Sequence, residues 1–103
     1  MTSVITKNSD KLVELCVRFR VARLAVFGSA ATGEHDPEAS DVDMIVEFEP
    51  LSPVERADAY FGLLEALEDL FGTSVDLLEM EPIRNPYLKR SIEETQVVVY
   101  EAA

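Results

Sequence analysis

At 103 residues and net charge −11, from 20 acidic side chains against 9 basic ones, the chain is sized for a single domain (1–103). Its bulk surface is ill suited to binding nucleic acid by counterion release. A 48% hydrophobic and 28% charged composition excludes a disordered tract, and no apolar run nears the roughly 18 residues of a membrane span. The opening MTSVITKNSDK has no signal-peptide apolar region and the lone Cys16 has no internal disulfide partner, so a reducing cytoplasm is the expected compartment.

The first expected element is a helix from an N-cap at Ser9 to about Arg20, with Leu12, Leu15, Cys16 and Phe19 as its apolar stripe. A short buried strand over about Arg23 to Phe27 then runs into Gly28-Ser29, a turn of small residues with free backbone N–H groups, which opens a short helical turn ending at Gly33. Glu34 to Ser40, with His35, Asp36 and Pro37, reads as a loop. His35 is the single histidine and has no cysteine near it, so it is read as a solvated loop residue and not a zinc ligand. A second strand covers Asp41 to about Phe48.

Ser52-Pro53-Val54-Glu55 is the clearest helix start: Ser52 as N-cap, Pro53 at the first position, Glu55 completing a capping box. That helix is expected to reach about Phe71, stopped by Gly72, with Ala57, Tyr60, Phe61, Leu64, Leu67 and Phe71 inward. Val75 to Leu78 forms a third strand, Pro86 to about Glu94 a last helix, and Val97 to Tyr100 a final strand; Tyr87 and Tyr100 are read as packing residues. The order α-β-β-α-β-α-β predicts an α/β fold, a small mixed sheet of about four strands flanked by helices.

The chemistry is concentrated in the acids. Asp41 and Asp43 stand two apart in a strand, so they share a face roughly 6–7 Å apart along the chain. Two carboxylates at the end of a buried strand repel each other and lose hydration unless a cation sits between them, and an all-oxygen ligand set favours magnesium. Asp76 adds a third acid on a later strand. A glycine-serine turn after one strand, paired acids opening the next and an acid on a third together supply a phosphate cradle and a three-carboxylate metal site.

Gly28-Ser29, eleven residues, then Asp41-Val42-Asp43, with Ser40 before the first acid and Asp76 later, resembles the signature of the polymerase-β-like nucleotidyltransferase superfamily. Its minimal nucleotidyltransferases match best, and the ending Asn85 to Ile92 followed by Val97 to Glu101 is also similar to that group. The resemblance implies a nucleotidyltransferase fold and an antitoxin that transfers AMP from ATP to a tyrosine of a HEPN-type ribonuclease toxin, with which it forms a hetero-oligomer. It also implies two Mg2+ ions held by Asp41 and Asp43, with Asp76 ligating the ion nearest the incoming hydroxyl. Gly28, Ser29, Gly33 and Ser40 would then bind the nucleotide.

Thr32 stands where relatives often carry an arginine before the second glycine, so a cationic phosphate contact is missing unless Arg56, Arg84 or another base supplies it. Two other functions fit less well. A nucleotidyltransferase for a small-molecule hydroxyl would need an acceptor-holding domain that is not expected here, and a non-catalytic antitoxin that occludes its partner would not need intact Asp41, Asp43 and Asp76.

Overall fold

The computed structural model describes residues 6–28, 42–79 and 84–102. Strands β1 (Val21–Phe27), β2 (Val42–Phe48), β3 (Val75–Glu79) and β4 (Val97–Glu101) form one sheet in the order β3-β2-β1-β4. Among the described residues three helices flank it: α1 (Ser9–Arg18), α2 (Pro53–Phe71) and α3 (Pro86–Thr95). This is the mixed four-stranded α/β architecture that the residue pattern predicts. β2 and β3 are parallel because the 19-residue α2 carries the chain back along the sheet between them, whereas β1 runs antiparallel to both β2 and β4. No described helix is long and apolar enough to cross a membrane.

Two apolar layers follow from the pleat. Leu24, Val26, Val42, Met44, Val46, Val75 and Leu77 face Leu12 and Cys16 of α1 and Leu63 and Leu67 of α2 in the main core. Alternate residues Ala25, Phe27 and Ile45, with Leu78, meet Ile92 of α3 on the other side. The register slips between Val21 and Arg23, and this irregularity brings Val21 into the main core with Leu24 and Val26, where strict alternation would set it opposite.

Local signals at α2 act as expected. The Ser52 hydroxyl accepts from the Glu55 N–H and the Glu55 carboxylate accepts from the Ser52 N–H, both at 3.2 Å, with Pro53 in the first turn. Gly72 closes the helix at φ +67, a left-handed conformation that glycine adopts without a Cβ penalty.

Elsewhere the structure corrects the expectations. α1 begins at Ser9 with Asn8 at the N-cap and no side-chain cap, and it ends at Arg18, because Arg20 turns left-handed at φ +59 and β1 starts early at Val21. Arg23 can sit inside β1 because Glu47 on β2 and Glu101 on β4 flank it at 3.5 and 3.4 Å. In α2 the inward row runs through Tyr60, Leu63, Leu64, Leu67 and Phe71; Leu63 is fully buried, whereas Ala57 is exposed and Phe61 is 66% exposed. Phe61 instead lies edge-on to Tyr60, ring centroids 5.2 Å apart. Tyr87 is also exposed, while Tyr100 packs against the core as expected. α3 also has a side-chain N-cap: Asn85 Oδ1 accepts from the N–H groups of Tyr87 and Leu88.

Candidate active site

Asp43 is the second residue of β2 and Asp76 the second residue of β3. The parallel ladder sets them directly opposite, in the run Val42↔Val75, Asp43↔Asp76, Met44↔Leu77. In-register neighbours on adjacent strands project to the same face about 4.8 Å apart, so the two carboxylates come from one side of the sheet. That side carries Phe27, Ile45, Leu78 and Ile92, which makes the floor beside the acids apolar. Asp43 is half-buried and Asp76 exposed, so one acid is held and the other is accessible.

On the third strand Phe27 lies opposite Asp43, and the chain then turns at Gly28 with φ +65. A β-carbon on Gly28 would stand 3.0 Å from Asp43 Oδ2, so the glycine's missing side chain is the space the Asp43 carboxylate uses. The Gly28 N–H, expected to be open for a phosphate, donates instead to Thr95 Oγ1 at 3.2 Å. Thr95 was not among the expected site residues, and no local pattern marks it, because it lies 67 positions from Gly28.

Asp41, Ser29, Gly33 and Ser40, with Thr32 and His35, lie outside the described residues. Among the described residues no three acids, histidines or cysteines converge as a metal site would require. Asp43 and Asp76 nevertheless suit a hard divalent cation: both are oxygen donors, they face the same way from adjacent strands, and their mutual repulsion favours a charge between them.

Arg56 is paired with an acid away from Asp43 and Asp76. Its Nε lies 2.9 Å from Glu79 Oε1, on the α2 side of the sheet and three residues along β3 from Asp76. A cavity of about 230 Å3 there, lined by Val46, Phe48, Leu51, Arg56 and Glu79 among others, is separate from the acid pair. Tyr60, whose hydroxyl donates to the Leu77 carbonyl, has its pKa raised by burial and by the charges of Glu79 and Asp76.

Residues 9–99 match the nucleotidyltransferase domain family, to which the chain belongs. Within that family it falls among the minimal, protein-adenylyltransferase members. It is 42% identical over 82 residues to a Methanocaldococcus jannaschii protein assigned as a protein adenylyltransferase, covering 80% of each chain. It is 36% identical over 98 residues to the protein adenylyltransferase MntA of Thermococcus cleftensis, covering 95% of this chain and 89% of that one. Among solved structures, a minimal nucleotidyltransferase superposes with TM-score 0.73 at 30% identity, covering 89% of each chain. The same fold recurs at 17% identity and TM-score 0.62 in the structure of a tri-AMPylated Shewanella oneidensis HEPN toxin in complex with MNT antitoxin, covering 95% of this chain and 73% of that one.

Proposed function

We propose that this nucleotidyltransferase moves AMP from ATP onto a tyrosine hydroxyl of a HEPN-type ribonuclease partner and thereby silences it. The observation that carries the reading is the register pairing of Asp43 with Asp76 beside Gly28. It is supported by the adenylyltransferase relatives and by the fold shared with an antitoxin seen in complex with its AMPylated toxin.

In the reaction the tyrosine oxygen bonds to the α-phosphorus of ATP as the bond from that phosphorus to the β-bridging oxygen breaks, and pyrophosphate leaves with the electron pair. Exposed Asp76 takes part in removing the tyrosine proton, while half-buried Asp43, backed by Gly28, is the fixed anchor. Asp41, Asp43 and Asp76 would hold two magnesium ions, which neutralise phosphate charge and acidify the attacking hydroxyl when bound. Ser29, Gly33 and Ser40 complete the nucleotide-binding set. The net charge of −11 suits encounter with a nuclease whose own RNA-binding surface has to be basic.

The test is to incubate the chain with its partner, Mg2+ and α-labelled ATP, and repeat with the other three triphosphates. Label is expected on a partner tyrosine, from ATP, and Asp43→Asn should abolish it. A partner that binds and is inhibited without acquiring label would replace transfer by occlusion.

A further inference from the structure

The β1–β4 ladder pairs Ala25 with Val98 and Val26 with Val97. Continuing that register by two residues sets Thr95 opposite Gly28. By then the chain is helical, Thr95 being the last residue of α3, so it has no strand backbone to offer. Its side chain substitutes. The Thr95 hydroxyl donates to the Ser91 carbonyl at 2.7 Å, which fixes the rotamer and turns an oxygen lone pair to accept the Gly28 N–H at 3.2 Å. Gly28 is the residue whose missing β-carbon makes room for Asp43 Oδ2, and at φ +65 it stands one residue beyond the Phe27–Asp43 pair, the last described pair of the β1–β2 ladder.

We infer that Thr95 is a positioning residue for the transfer reaction: its hydroxyl is a surrogate ladder acceptor that locks Gly28, and through Gly28 the Asp43 carboxylate, in the reactive arrangement. Thr95 touches neither nucleotide nor acceptor in this role. The inference rests on the adenylyl-transfer reading for its kinetic consequence, but the Gly28 lock itself does not depend on that reading.

The critical variants are Thr95→Val, which keeps shape and removes the acceptor, and Thr95→Ser, which keeps the hydroxyl. In the full chain with its partner, Mg2+ and ATP, Thr95→Val should lower kcat about 10-fold, the effect of leaving one hydrogen bond unmade, with KM for ATP little changed. Thr95→Ser should restore kcat to within about 2-fold. Independently of activity, hydrogen exchange of the Gly28 amide should accelerate at least about 10-fold in Thr95→Val and not in Thr95→Ser. A merely structural residue would lower the melting temperature and leave kcat of the folded chain unchanged, and that result overturns the inference, as does a loss of kcat that Thr95→Ser fails to rescue. So does an unchanged Gly28 exchange rate in Thr95→Val. If wild type transfers no AMP at all, the functional reading fails, while the exchange experiment still decides whether Thr95 holds Gly28.

Discussion

Asp43 Oδ2 lies 3.0 Å from the position a β-carbon on Gly28 would occupy, so an acid of β2 packs tightly against the turn residue that follows β1. Gly28→Ala is therefore penalised twice. The left-handed φ of +65 costs an L-residue roughly 1–2 kcal/mol, and the new methyl crowds the Asp43 carboxylate at 3.0 Å. Expected is a loss of about that size in denaturant unfolding, with a much larger fall in AMP transfer. Gly72→Ala separates the two effects: it has the same backbone sign at φ +67 but nothing within 4 Å of its added carbon, so it should reproduce the stability loss and leave transfer intact.

Because Asp43 and Asp76 repel across the ladder, Asp76→Asn should raise the melting temperature when no divalent cation is present. Millimolar Mg2+ or Mn2+ should stabilise the wild type by mass action, about 1.4 kcal/mol at ten times the dissociation constant, with a further increment from ATP. Asp43→Asn should lose the metal response and keep the fold. Thermal melts across a magnesium titration check this, and a flat wild-type curve would remove the metal from the site.

The outward face of α2 makes a sharp contrast with its inward one. Phe61 is 66% exposed, so Phe61→Ser should change stability by no more than about 0.5 kcal/mol, whereas Leu63→Ala, at a fully buried position two residues on, should cost about 2–5 kcal/mol. Urea midpoints of the two variants measure the difference directly.

Burial pushes the Cys16 thiol from its ordinary value of 9.0 up to about 12. The unfolded thiol ionises near 9.0 and the native one does not, so this contribution to stability is fully present below pH 9 and is lost as pH rises toward about 12. The alkaline fall in unfolding midpoint should be steeper for wild type than for Cys16→Ala. Native Cys16 should also resist thiol reagents at pH 8 until the chain is unfolded.

What the residue order alone determined is what depends on neighbours within a turn or a strand. Ser52, Pro53, Glu55 and Gly72 bound α2 because capping, fixed φ and left-handed tolerance are properties of a few consecutive residues. The alternation in β2 likewise marks a strand whose acid departs from an apolar run, and the motif from Gly28 to Asp76 was enough to identify the family. Tertiary structure decided the rest. That Asp43 meets Asp76 is a matter of parallel register, set by how α2 returns the chain. The choice of Leu63 over Phe61 for the core depends on which side of α2 faces the sheet, and both residues are apolar, so composition cannot distinguish them. Thr95 reaches Gly28 only because β4 lies beside β1 at the far end of the chain. A contact between residues 67 positions apart leaves no local signature, since its energy exists only once the sheet has closed.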